Sequence, residues 1–255
     1  MKEAVKCEGL SKSFKKKERV VALDNVSLTI PKNEIFGIVG PNGSGKSTLI
    51  RILSTLLIPD KGHARIFGYD VVREYSKVRP LINRVSVDAA FFKGISAWEN
   101  LRYAARLYGL GGCEAKERTL DILGQLGFDR KRYYEPLEDL SRGMQQKIAI
   151  ARAFFTAPML LLLDEPTTGL DPRSKMEVQG FVRRAMSNNG LTIVLTTHDM
   201  KEAEALCSRV AIIIKGRFVT VGEPSTLLKR YGKTNLEDVF LEVTGREWQE
   251  IEYED

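Results

Sequence analysis

The sequence predicts an α/β fold with a mainly parallel sheet, an N-terminal antiparallel β subdomain and an inserted helical subdomain. Three observations carry this. The apolar runs Ile35–Val39 and 159–163 are short enough for strands buried on both faces, and each adjoins a stretch with helical spacing. Near the N-terminus a Lys-rich run lies between two short strand-like stretches, which reads as a solvated hairpin. From about residue 88 to 140, apolar residues recur at helical spacing, with Trp98, Leu101, Ala105 and Tyr108 on one helix and Leu120, Leu123 and Gly127 on another.

The first run leads into GPNGSGKST (40–48), followed by helically spaced Leu49, Ile52, Leu53 and Leu56. This is GxxxxGK[ST] in a strand–loop–helix context, a phosphate-binding loop. Gly40, Gly43 and Gly45 let successive backbone N–H groups turn inward, at a helix N-terminus that already favours anions. Pro41, Asn42 and Ser44 complete the loop, Lys46 adds a positive charge, the Ser47 hydroxyl is a Mg²⁺ ligand, and Thr48 enters the helix. A plain Gly-rich turn is the competing reading, but a chance match in a chain this long is roughly a one-in-a-hundred event. The sheet is thereby the core of a phosphate-loop NTPase fold.

The second run, MLLLLDEP (159–166), ends in two carboxylates. A central parallel strand carries its chemistry at the carboxyl end, so Asp164 is placed to hold the Mg²⁺ that bridges terminal phosphates, and Glu165 to face the attacking water. A loop cap formed by these acids would not explain why both follow an unbroken apolar run.

Composition removes other classes. With 255 residues, 43% of them hydrophobic, the chain buries a substantial core. No apolar run approaches the roughly 20 residues needed to span a bilayer. The start, MKEAVKCEGL, lacks the apolar stretch of a secretory signal, which suggests a cytoplasmic chain. Cys7, Cys113 and Cys207 are widely spaced, as reduced thiols rather than a disulfide or zinc framework. The net charge of +6 is concentrated partly in Lys12, Lys15, Lys16, Lys17 and Arg19, with no interleaved aromatics, so nucleic acid is not an expected partner.

Between the two motifs lies LSRGMQQKIAIARAF (140–154), an amphipathic helix with Ser141 at its start and Met144, Ile148, Ala151 and Phe155 at helical spacing. Taken alone, Ser141 is an N-cap and Gly143 a site of close approach. The order of phosphate loop, LSxG helix, apolar-DE strand, GLD (169–171) and THD (197–199) resembles the ATP-binding-cassette (ABC) ATPases over nearly the whole chain. The resemblance implies ATP as ligand and a head-to-tail homodimer or pseudo-dimer, in which Ser141 and Gly143 of one subunit meet the γ-phosphate held by the other. It also implies that His198 is a switch histidine near that phosphate, that Asp171 organises the dimer interface, and that Phe14 stacks on adenine. Phe14 is equally well read as a half-buried strand aromatic. Asp199 is read as the cap of the next helix, and His63, in a turn-like KGH segment, as structural.

Two features mark this chain within the resemblance. Arg142 and Met144 stand where glycine and glutamine are most common, and Val87, followed by Asp88, stands where a Mg²⁺-contacting glutamine is usual. The resemblance extends to the drug-resistance and A-subfamily-like exporter branch, through EPSTLLKRYG and NLEDVFLEVTG after residue 221. Residues 1–221 are thus expected to form the nucleotide-binding domain and 222–255 a helical extension with an acidic tail. Within the extension Leu236, Val239, Phe240 and Val243 would pack on the core or on a second subunit. The function implied is an ATP-hydrolysing subunit that powers a separate integral membrane permease, an ABC-2-type exporter, from the cytoplasmic face of the membrane. The alternatives are a soluble cassette acting on ribosomes or nucleic acid, which the single cassette disfavours, and a weakly hydrolysing regulatory module, which Lys46, Asp164, Glu165 and His198 together disfavour.

Overall fold

A computed structural model of the chain describes residues 3–15, 19–86 and 91–245. The strands are β1 (Glu3–Lys15), β2 (Arg19–Pro31), β3 (Ile35–Val39), β4 (Lys61–Ile66), β5 (Tyr69–Asp70), β6 (Ile82–Val85), β7 (Leu160–Asp164), β8 (Thr192–Thr197), β9 (Arg209–Ile214) and β10 (Arg217–Gly222). The helices are α1 (Lys46–Leu53), α2 (Tyr75–Val78), α3 (Ala97–Leu107), α4 (Gly112–Gln125), α5 (Arg142–Ala153), α6 (Pro172–Asn189), α7 (Met200–Leu206), α8 (Pro224–Tyr231) and α9 (Leu236–Thr244).

The strands form two sheets. One is antiparallel in the order β2-β1-β4-β5, the other runs β10-β9-β3-β8-β7-β6 and is parallel except for β10. Both the mainly parallel sheet and the N-terminal antiparallel sheet agree with the sequence reading. β1 and β2 are not short, however: each runs 13 residues, bent by register shifts that let one long hairpin wrap the core. His63 lies in β4 rather than in a turn, paired with Glu8 across the sheet and with Nδ1 3.7 Å from Asp70. Met159 precedes β7 and is exposed, whereas all five residues of β7 are buried. Val87 and Asp88 lie outside the described residues, as do Lys16, Lys17 and the acidic segment 250–255.

The central strands divide their side chains between two cores, as the period of two requires. Ile35, Leu161, Leu163, Ile193 and Leu195 face a core shared with α3 to α9, while Phe36, Ile38, Leu160, Leu162 and Val194 face one shared with α1 and the antiparallel sheet. The four leucines of β7 are fully buried, each worth about 1.5–3 kcal/mol relative to exposure. That explains an apolar run without alternation. Leu101, Ala105 and Leu123 of α3 and α4 belong to the same cluster as Val39 and Leu163, so the helical region shares the sheet's core. Leu236, Val239 and Phe240 of α9 are buried in that cluster too, with Val243 packed against it. The expected boundary at 221 falls one residue before the end of β10.

Helix starts follow from short polar caps. Ser96 and Glu99 form a reciprocal capping box on α3, and Ser141, Asp171, Asp199 and Asn235 accept backbone N–H groups at the starts of α5, α6, α7 and α9. Among the described residues no helix is long and apolar enough to cross a membrane.

Candidate nucleotide site

The parallel sheet brings the carboxyl ends of β3, β7 and β8 side by side, and the motif residues converge there. Thr197, Asp164 and Val39 are held by the pairs Val39↔Thr197 and Asp164↔Thr196. Gly40 follows β3, Glu165 follows β7 and His198 follows β8.

Gly45 is the N-cap of α1 at φ +106°, and a Cβ there would sit 2.3 Å from the Ala22 carbonyl of β2. Only glycine allows both that backbone and that approach. The antiparallel sheet thus closes against the loop, aided by hydrogen bonds from Gly216 N to Ser44 O (3.0 Å) and Asp24 N to Gly216 O (2.9 Å). Ser44 is buried, with an Oγ that has no hydrogen-bond partner among the described residues. A cradle of loop backbone around an unsatisfied hydroxyl suits an anion that brings its own oxygens. Pro41 is buried, Asn42 and Gly43 are exposed, and Thr48 is half-buried in α1.

Lys46 is only 4% exposed; its Nζ donates to Gly40 O (2.7 Å) and Pro41 O (2.9 Å) and lies 3.2 Å from Glu165 Oε1. Burial depresses the pKa of the ammonium, a fall that Glu165 and Asp164 oppose. Glu165 shows the opposite balance. Burial pushes its carboxyl up, but the His198 hydrogen bond, the Lys46 charge and the Thr168 hydroxyl prevail and hold it at about 2. His198 Nδ1 is 3.2 Å from Glu165 Oε2, to which Thr168 Oγ1 also donates at 3.0 Å. Glu165 takes a left-handed backbone, φ +50°, fixed by its N–H donating to Thr196 O (3.0 Å) and Oγ1 (3.1 Å). A non-glycine residue there costs on the order of 1–3 kcal/mol, and such strain concentrates at functional sites.

Asp164 is 2% exposed and fully bonded. Its Oδ1 accepts from Ser47 Oγ (3.0 Å) and Thr196 Oγ1 (2.8 Å), and its Oδ2 from Arg84 Nη2 (3.3 Å). Ser47 Oγ and Asp164 Oδ1 are adjacent hard oxygens, the donor set Mg²⁺ takes when a nucleotide supplies most of its other ligands. No cluster of three acidic, His or Cys residues suited to a metal occurs among the described residues, and this mode of binding needs none. Behind these groups Thr167 Oγ1 donates to buried Glu202 at 2.6 Å, tying the loop after β7 to the helix after His198.

Ser141 and Gly143 take no part in the contacts above. Ser141 Oγ accepts from Met144 N (3.3 Å), and a Cβ on Gly143 would meet Ser174 Oγ at 2.7 Å and Asp171 Oδ2 at 3.5 Å. Asp171 in turn accepts from Ser174 N at 3.0 Å. The starts of α5 and α6 therefore abut, with the Arg142 guanidinium against Gly169. Phe14 is half-buried in β1 opposite Val20, with Lys12 Nζ 5.8 Å from its ring centroid. Sequence reasoning missed Thr196, Thr168 and Arg84. Thr196 was the legible one, a buried hydroxyl just after the apolar stretch 193–195.

A strand–loop–helix phosphate cradle beside an Asp-Glu strand end and a histidine defines a phosphate-loop ATPase. Residues 23–168 match the family model described as ABC transporter. The daunorubicin/doxorubicin resistance ATP-binding protein DrrA of Streptomyces peucetius is 40% identical over 91% of this chain and 69% of its own length. The ABC transporter ATP-binding protein NatA of Bacillus subtilis is 36% identical over 91% of this chain and 94% of its own. Among solved structures, an ATP-binding subunit of an ABC transporter superposes with a TM-score of 0.83 at 26% identity, covering 94% of this chain and 99% of that one. A dimeric ATP-binding cassette in a post-hydrolysis state with ADP and phosphate gives 0.79 at 28% identity, covering 86% and 98%. The chain belongs to the ABC transporter family, as an ATP-binding cassette similar to ATP-binding proteins named for drug resistance.

Proposed function

We propose that this cassette hydrolyses Mg-ATP to drive a separate integral membrane permease of the exporter type. The observation that carries this is the convergence of Lys46, Ser47, Asp164, Glu165 and His198 at the ends of three adjacent strands. The cradle of Gly40, Pro41, Asn42, Gly43, Ser44, Gly45 and Thr48 binds the phosphates through backbone N–H groups, with Lys46 as their counter-charge. Ser47 and Asp164 would hold Mg²⁺, which would supply charge neutralisation on the phosphates. Glu165, ionised at neutral pH, accepts a hydrogen bond from the attacking water, and His198 orients Glu165 while reaching toward the terminal phosphate.

Ser141, Gly143 and Asp171 complete the site of a second copy in an ATP-bound dimer. Their position at the abutting starts of α5 and α6, apart from the Lys46 site, supports action in trans. Phe14 serves as the adenine platform. Residues 1–221 act as the nucleotide-binding domain, the segment about 88–140 as its helical insertion, and 222–255 as an extension. The chain is held at the cytoplasmic face of the membrane through its permease, and the relatives named for drug resistance favour export.

Affinity purification of the tagged chain from native membranes tests this. Recovery of an integral membrane protein that raises its Mg²⁺-dependent ATPase rate is expected. Recovery of ribosomes or nucleic acid, with no membrane partner and no such stimulation, would overturn the permease assignment.

A further inference from the structure

We propose that Arg84 is a resident cation of the nucleotide site, lowering the dependence of ATP binding on Mg²⁺. This rests on the reading of Asp164 as the metal-holding carboxylate. Parallel pairing sets Arg84 of β6 opposite Leu162 of β7, two residues before Asp164, and the guanidinium reaches forward to Asp164 Oδ2 at 3.3 Å. Both oxygens of that carboxylate are thus occupied, one by the Ser47 and Thr196 hydroxyls and the other by a full positive charge.

The consequence is electrostatic. Lys46 and Arg84 are two cations set against the two carboxylates Asp164 and Glu165, linked by contacts of 3.2 and 3.3 Å. Without Arg84 the same cluster would carry a net negative charge and would repel ATP until a metal neutralised it. With Arg84 the cluster is balanced, so the metal-free nucleotide meets less repulsion and Mg²⁺ gains less on entering. The pair is sheltered from screening, with side-chain exposures of 22% for Arg84 and 3% for Asp164.

The guanidinium also has unused capacity. Its Nε is buried with no hydrogen-bond partner among the described residues. Arg carries five donors in a planar fork, so the bond to Asp164 Oδ2 uses only part of the capacity of this guanidinium. Arg84 also lines a groove with Asn83, Tyr108 and Arg152, so it stands at the surface edge of the sheet as well as against Asp164.

Equilibrium binding of a fluorescent ATP analogue, in excess Mg²⁺ and in EDTA, reads the coupling directly as a ratio of affinities. For the natural chain the two affinities should lie within about tenfold, and Arg84→Gln should widen the gap by about a further tenfold, chiefly by weakening binding in EDTA. Arg84→Lys, which keeps the charge, should match the natural ratio. An unchanged ratio in a folded Arg84→Gln overturns the proposal. If that variant does not fold, undetectable binding by the natural chain in EDTA, or a tenfold wider gap in Arg84→Lys, overturns it equally. No binding in Mg²⁺ at all would instead defeat the nucleotide reading on which the inference stands.

Discussion

Lys46 Nζ stands 3.2 Å from Glu165 Oε1, so the cation of the phosphate loop and the carboxylate proposed to face the attacking water are each other's partners. On the proposed reading, phosphate oxygens entering the loop would compete with Glu165 for the same ammonium and so free the carboxylate. Removing Lys46 strips the cradle of its charge and leaves a buried carboxylate without its nearest cation. Lys46→Ala should therefore weaken ATP binding by about a hundredfold or more, as measured by calorimetry. Binding within a few-fold of the natural chain would contradict the phosphate role.

Acid stability follows from the same cluster. Glu165 is held at about 2, below its ordinary 4.5, so it stays ionised in the folded chain while the unfolded chain takes up a proton as pH falls. Its stabilising contribution is complete above about pH 5 and is lost between about 4.5 and 2, at most about 3 kcal/mol over that window. Urea unfolding at pH 6 and pH 3 should show a smaller loss of stability for Glu165→Gln than for the natural chain. Equal losses would mean that the His198 and Lys46 contacts do not bias ionisation of Glu165.

Gly45 offers a test of the loop's construction. With φ at +106° and the Ala22 carbonyl 2.3 Å from any added Cβ, Gly45→Ala must move either the loop or β2. A destabilisation of about 2 kcal/mol or more is expected, seen as a Tm lowered by several degrees. A loss below about 0.5 kcal/mol would show that the antiparallel sheet does not lock the loop.

The trans role of the α5 start predicts an oligomeric change. Light scattering should find Glu165→Gln monomeric alone and dimeric with saturating Mg-ATP, if Ser141 and Gly143 complete the partner's site as proposed. Adding Ser141→Arg should abolish that dimer. A dimer that survives the bulky cation would place Ser141 outside the interface, leaving it as the N-cap seen in its bond to Met144 N.

Much of this arrangement was legible in the chain because local chemistry and global fold agree. The apolar run of β7 ends in its two acids, the loop glycines sit where strand becomes helix, and Ser141 and Asp199 cap the helices they precede. What escaped depended on distance in sequence. The length of the β1–β2 hairpin is set by a core it wraps, not by its own pattern, and His63 reads as a turn residue only because Gly62 precedes it within β4. Arg84 carries no local signal of its position. Only the pairing of β6 with β7, between segments nearly eighty residues apart, sets it against Asp164. The left-handed backbone of Glu165 was equally hidden, since nothing in its residue type calls for it.

The most direct test of the central claim compares ATP turnover and ATP retention in the natural chain and in Glu165→Gln. Glutamine keeps the size of the side chain and leaves Lys46 and the loop in place, but removes the carboxylate that aligns water. Single-turnover hydrolysis should slow by about a hundredfold or more while stoichiometric Mg-ATP remains bound. Turnover undiminished in Glu165→Gln, with ATP binding intact, would contradict the assignment of Glu165 and the hydrolytic site built around it.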